Sequence, residues 1–322
     1  MEGYFKFNYS DQVMGALIGN AVGDALGIPV EFSKREDLKS NPVLEMQGFG
    51  SYLVPAGTWS ENTSMSLALM DSVRECKCIN ISDIMHKLSR WLYLAEYTAS
   101  SEVVNVNATI ELAVEKFKKG IIPQDCGDNF EFASDNGALM RILSVALLCH
   151  NYNIIGKQRY ELVSEITKLT HANEKCIMAN LIFVNFVCYL MDGFYPAIAL
   201  QRTQQECYNF FSDACVARYD RLLVGNIAEL PEDEIRSTSD VIDTLESAIW
   251  SLITTRNYET AVIRAVNLGS DTAAIGALTG AIAGVYYGEH AIPRRWLDQM
   301  KKIKEIKENA ISFAKTDVTF AL

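Results

Sequence analysis

The chain has 322 residues, 49% of them apolar and 21% charged, with 40 acidic against 29 basic side chains and a net charge of −11. That apolar share supplies a real core and excludes disorder. The acidic balance, with no basic run to offset it, argues against nucleic acid and anionic membrane surfaces as partners.

Helical periodicity runs through the chain. It predicts helices over Asp11–Gly27, Thr63–Arg74 and Ile81–Tyr97, the last with Ser82 as N-cap, and over Ala108–Lys119, ending at Gly120. Further helices are predicted over Asn136–Cys149, Tyr160–His171, Glu174–Met191, Pro196–Tyr219, Ser239–Thr255, Tyr258–Ala265, Thr272–Tyr287 and Arg294–Lys315. No segment alternates as a strand would. The fold expected is all-α, a single domain over residues 1–322 with its core at about 11–300. The longest apolar run, Cys176–Met191, is interrupted by two asparagines and falls short of the ~20 residues of a membrane span, so it reads as a buried core helix. Residues 1–20 lack a basic segment followed by an apolar one, so no signal peptide is expected. The eight cysteines form no CxxC pair, which argues against a zinc site, and several lie in apolar runs; a reducing cytoplasm fits this usage.

Two helices carry an unusual pattern. Gly15, Gly19, Gly23 and Gly27 are each four apart, and so are Gly276, Gly280, Gly284 and Gly288. Glycine inside a helix costs about 1 kcal/mol. Four on one ridge imply a compensating gain, the close approach of another backbone. Both helices are therefore expected to be central and tightly packed, with packing on each other one arrangement that would use both ridges.

Four segments hold polar residues where packing does not require them. In GALIGNAVGDALGIPVEF (15–32), Asn20 and Asp24 share a helix face and Glu31 follows the helix. GTWSENTSMSLAL (57–69) places Ser60, Glu61 and Asn62 before an apolar helix. DNGALMRI (135–142) is a turn leading into a helix, and NLGSDTAAIG (267–276) sets Asp271 and Thr272 at a helix N-terminus. Taken singly, Ser60, Glu61, Ser270 and Asp271 read more readily as helix caps and first-turn acids than as ligands.

Together and in this order, the segments resemble the ADP-ribosylhydrolase (ADP-ribosylglycohydrolase) family. Further matches are SEVVNVN (101–107) to a GEVFDIG-like segment, NGALMR to NGSLMR, Leu169-Thr170-His171 to a Leu-Thr-His, and NLGSDTAAIGAL to NLGGDTDTIGAI. The resemblance covers about Gly15 to Met300. It implies an all-α protein that uses two Mg²⁺ ions, held by oxygen ligands, to cleave ADP-ribosyl bonds. Mapped by residue, it implies metal ligation at Ser60, Glu61, Asn62 and Asp271, and acid–base candidates Glu31, Glu61 and Asp271. It further implies ligand contacts at Asn105, Asn136, Gly137, Ala138, Met140, His171, Gly269 and Ser270.

The chain departs from the family at the metal ligands. Glu61 and Asn62 replace an Asp pair, Asn105 and Ala273 each replace an Asp, Ala274 replaces a ligand Thr, and Ala138 replaces a Ser. Of five carboxylates matched at positions 61, 62, 105, 271 and 273, two remain. The expectation is that the two-metal centre does not form, with a single weak site at Ser60, Glu61, Asn62 and Asp271 as the alternative. Three readings of function follow: a pseudoenzyme that holds ADP-ribose or an ADP-ribosylated partner, a divergent hydrolase with one metal or none, and a scaffold with an empty cleft.

Overall fold

The computed structural model describes residues 7–320. Twelve helices of nine or more residues, labelled in chain order, account for most of it: α1 Tyr9–Gly27, α2 Glu61–Cys76, α3 Ile81–Leu94, α4 Ala108–Lys118, α5 Ile142–Asn151, α6 Gly156–Lys168, α7 Glu174–Met191, α8 Pro196–Gln204, α9 Val241–Ile253, α10 Tyr258–Val266, α11 Thr272–Tyr287 and α12 Ile303–Ala314. Among the described residues there are no strands, only two isolated bridges, Asp128 with His171 and Asp135 with Asp240. The all-α expectation holds.

The glycine ladders meet each other. Helices α1 and α11 run antiparallel so closely that a Cβ on Gly15 would lie 2.2 Å from the Gly284 carbonyl oxygen, one on Gly19 2.2 Å from that of Gly280, and one on Gly23 1.9 Å from that of Gly276. Gly27 meets Thr272 instead, and Gly288 lies past the seam at the end of α11 with φ 76°. Absent side chains let the two backbones touch, and Val13, Leu17, Ile18, Ile275 and Ile282 close the core around them. The seam also aligns the C-terminal end of α1 with the N-terminal end of α11, where Thr272 Oγ1 donates to Gly27 O at 2.8 Å.

Helix α7, with the Cys176–Met191 run, is a core helix, as expected. It and residues 9–30 are long and apolar enough to cross a bilayer, yet 83% of each stretch is buried inside the fold. All eight cysteines are free thiols.

Three predicted helices break where polar contacts outcompete the apolar pattern. Pro196–Tyr219 stops at Gln204, whose side chain donates to Leu222 O. Ser212 then donates to Glu174 and opens a separate short turn over Asp213–Ala217. Asn136–Cys149 begins instead as a single 3-10 turn, Asn136–Ala138, with α5 starting at Ile142. Asp135 accepts from Gly137 N, and Asn136 N donates to Ser239 O, so the turn is pinned at both sides. Arg294–Lys315 is interrupted at Lys302 (φ 52°), where Lys301 is held by Gly57 and by the Trp59 indole. The N-cap of α3 is Asn80, not Ser82: its side chain accepts from Asp83 N.

Candidate functional site

The seam ends in an acidic site. Asp24, on the last turns of α1 and fully buried, accepts five hydrogen bonds from the start of α2. Its donors are Ser60 N and Oγ (2.9 and 2.7 Å), Thr63 N and Oγ1 (3.1 and 2.7 Å) and Asn62 Nδ2 (3.3 Å). Ser60 is also the N-cap of α2, accepting from Asn62 N. Here the capping reading and the site reading coincide: one acid collects the orphan donors at the start of α2.

Around Asp24 stand Glu31, Glu61 and Asp271, all at most 8% exposed. Glu61 Oε2 accepts from Asn107 N at 2.7 Å. Glu31 Oε1 accepts from Asn105 Nδ2 at 3.3 Å, while Oε2 is buried without a hydrogen-bond partner. Asp271 takes the N-cap position of α11 and accepts from Asn136 Nδ2 at 2.7 Å, whose other contact is Thr244 Oγ1. Burial, aided by mutual repulsion, pushes the Glu31 carboxyl up to about 9. Burial pushes Glu61 up to about 8 against the opposing Asn107 N–H, and it raises Asp24 and Asp271 as well.

A fifth carboxylate behaves oppositely. Burial works against the charge of Asp135, but its donors outweigh it and hold the carboxyl well below the usual range. These are His171 Nε2 (2.7 Å), Asn107 Nδ2 (2.7 Å), Gly137 N (3.0 Å) and Thr109 Oγ1. His171 is fully buried behind Asp135, with its other nitrogen 2.6 Å from Thr170 Oγ1. Thr170 in turn receives Arg141 Nη2, from a fully buried guanidinium that burial pushes down to about 10. His171 thus meets the site at Asp135, and its ring lies against Gly137, where a Cβ would sit 3.0 Å from Cε1.

The structure brings Ser60, Glu61, Asn62, Glu31, Asn105, Asn136 and Asp271 together through these contacts. Gly137, Ala138 and Met140 are buried in and after the turn that Asp135 caps. Ser270 is exposed and left-handed (φ 61°), and ties the loop after α1 to α11: its N–H donates to Ser33 O, and its carbonyl accepts from Phe32 N. Gly269 (φ 78°) lies so near Arg35 N that a Cβ would sit 2.8 Å away. Sequence reasoning noted Asp24 as sharing a helix face with Asn20, and missed the roles of Asp135, Asn107 and Thr63. Asp135, directly before Asn-Gly, carried the one available signal, an acid able to cap a tight turn.

Two hard divalent cations need many oxygen ligands, and this donor set does not fit them. Asn62 turns an N–H donor, not an acceptor, toward Asp24. Ala273, fully buried, packs with Ile28 and Val104 in a small apolar cluster of its own, flanked by Tyr52 and Val54. Ala274 is 3% exposed and offers no side-chain oxygen.

The family model for ADP-ribosylglycohydrolases matches residues 7–319. The chain belongs to that family. It is 30% identical over 302 residues to ADP-ribosylarginine hydrolase Tri1 of Serratia proteamaculans (strain 568), covering 93% of this chain and 78% of that one. It is 27% identical over 307 residues to the ADP-ribosyl-[dinitrogen reductase] glycohydrolase of Rhodospirillum rubrum, covering 92% and 93%. A solved structure titled ADP-ribosylglycohydrolase-related protein complex superposes with a TM-score of 0.80 at 27% identity, over 96% of this chain and 99% of that one.

Proposed function

We propose that this family member holds ADP-ribose, free or on a modified partner, without a two-metal centre and without cleaving it. The observation that carries the reading is the environment of Ala273. A family ligand position is occupied by a side chain with no oxygen, inside an apolar cluster. Replacing a ligand would have left a polar hole; here Ile28, Val104, Tyr52 and Val54 fill the space. The five carboxyls of the site are accommodated by other means: hydrogen bonds hold the charge of Asp135 and surround Asp24, while burial favours the protonated forms of Glu31, Glu61 and Asp271. The α11 N-terminus, with Asp271 at its cap position, faces the same site, and its helix dipole suits an anion such as a pyrophosphate.

A second reading, a divergent hydrolase, draws on Glu31. Burial pushes its carboxyl up to about 9, which keeps a proton available near neutral pH, as a general acid requires.

An arginine peptide bearing ADP-ribose, incubated with the purified protein and millimolar Mg²⁺, separates the two readings. The holding reading expects the peptide to keep its ADP-ribose and to co-elute with the protein. Release of free ADP-ribose at a rate abolished by Glu31→Gln would establish the hydrolase.

A further inference from the structure

The segment before and into α9 borders the acidic site through Ser237, whose carbonyl accepts from Asp271 N, and Thr244, which accepts from Asn136. Other side chains of the same segment line a different cavity, of about 420 Å³, and none of Asp24, Glu31, Glu61, Asp135 and Asp271 reaches it. Four cations stand around this cavity in a chain of net charge −11: Lys175 at the start of α7, Arg218 and Arg221 beyond the Asp213–Ala217 turn, and Arg236.

The four are unequally engaged. Lys175 is 9% exposed and fixed by Asp240 and by Ser134 Oγ at 3.3 Å. Arg221 Nη2 donates to Glu234 O at 3.0 Å, and its Nε stands 3.1 Å from Glu246 Oε2. The other two are loosely held. Among the described residues, the Arg218 guanidinium reaches only the exposed Glu131, at 3.3 Å, and that of Arg236 only Asp243, at 4.0 Å. Contacts of this kind between solvated groups contribute little, so two guanidinium forks are left to clasp an anion.

The acids of the cavity narrow the choice of anion. Asp240 is committed to Lys175 and to the cap of α9, where it accepts from Ile242 N. Asp243 accepts from Thr238 Oγ1 through Oδ2, which leaves Oδ1 to accept a further donor. Glu246, 3% exposed, is pushed up to about 7 by burial against the pull of Arg221, so it carries less than a full charge at neutral pH. Ile242 is the one apolar side chain lining the cavity and no aromatic ring does so among the described residues, so a base has nothing to stack on and an alkyl chain has nothing to pack against.

We infer that this cavity binds a small polyhydroxylated phosphate ester, with Arg218 and Arg236 clasping the phosphate and Asp243 accepting a hydroxyl. The planar forks match phosphate oxygens in parallel N–H···O pairs. A carboxylate beside them repels a bare anion, but it becomes an acceptor once the ligand carries hydroxyl donors. The mixed set of cations and acids thus fits a sugar phosphate better than it fits inorganic phosphate or a dicarboxylate.

Calorimetry on the full chain would use glucose 6-phosphate as the probe, with inorganic phosphate and malonate beside it. The wild type is expected to bind glucose 6-phosphate about tenfold more tightly than either of the others. Arg218→Gln combined with Arg236→Gln alters side chains that are 50% and 70% exposed, so the fold is kept, and it should weaken that binding about tenfold or more. Arg294→Gln, at a side chain 85% exposed and outside the cavity, should leave it unchanged. Excess ADP-ribose should also leave it unchanged, because the acids of the acidic site do not line this cavity. A wild type that does not bind glucose 6-phosphate, or a double variant that binds it as well as the wild type, overturns the inference. Equal affinity for inorganic phosphate or malonate would make this a general anion site and overturn the assignment to an ester. Displacement by ADP-ribose would make the cavity part of the acidic site and overturn it as well.

Discussion

Helices α1 and α11 build two regions of very different character from the same pair of elements. Along their length they form a glycine seam in which backbone meets backbone. At the end they share, they present Asp24 and Asp271 to an acidic site in which Asn62, Ala273 and Ala274 stand where the resemblance to the family motifs implies ligands. The seam depends on atoms that side chains would displace, so almost any substitution disrupts it. The site depends on side-chain oxygens, which can be removed one by one while the helices stay in place. Position is thus conferred by the seam and chemistry by the residues set on it, and the second can change while the first persists.

The largest expected effect lies in the seam. Gly280→Ala would set a Cβ 2.0 Å from Gly19 O, a clash between backbones that no rotamer relieves. Chemical denaturation should register a loss of about 3 kcal/mol or more, at or beyond the top of the usual overpacking range. A variant as stable as the wild type would mean the helices are not this close. Next is Ala273→Asp, which restores a family carboxylate inside the Ile28–Val104 cluster. A carboxyl buried without partners should cost about 2–3 kcal/mol, and Mg²⁺ should not recover it. A rise in melting temperature with Mg²⁺ in this variant alone would show that the site still accommodates the ion.

The seam was legible in the sequence because it is written locally: glycines four apart mark a ridge, and two such ridges of equal length suit each other. The site was legible only in part. Glu31, Glu61 and Asp271 could be placed by resemblance to family motifs. Asp135 could not, since its meaning depends on His171, Asn107 and Thr109 arriving from distant segments. The breaks at Gln204 and Lys302 were equally hidden, because the apolar pattern continues across them. What stops each helix is a tertiary contact, Gln204 to Leu222 in one case and Lys301 to Gly57 in the other.

An effect spread over pH, rather than set by one substitution, follows from the acids of the site. Glu31 and Glu61 keep protons to about pH 9 and 8 in the fold, whereas the unfolded chain releases them near their ordinary values. Between about pH 5 and 8 the folded state holds more protons than the unfolded one, so stability falls as pH rises, by on the order of 1 kcal/mol per pH unit for each such group. Melting curves across that window should show the decline, and Glu31→Gln should flatten it. A stability that instead rises toward pH 8 would mean these carboxyls are ionised in the fold. The smallest effect is a local one outside both regions. Asn80→Ala removes the cap of α3 and should cost about 1 kcal/mol in denaturation, with no change at the site.

The central claim, that ADP-ribose is held without a metal pair, is tested most directly by calorimetric titration of ADP-ribose into the purified protein, first with EDTA and then with millimolar Mg²⁺. The account predicts the same affinity in both buffers and no product afterwards. Binding that appears only with Mg²⁺ would contradict it.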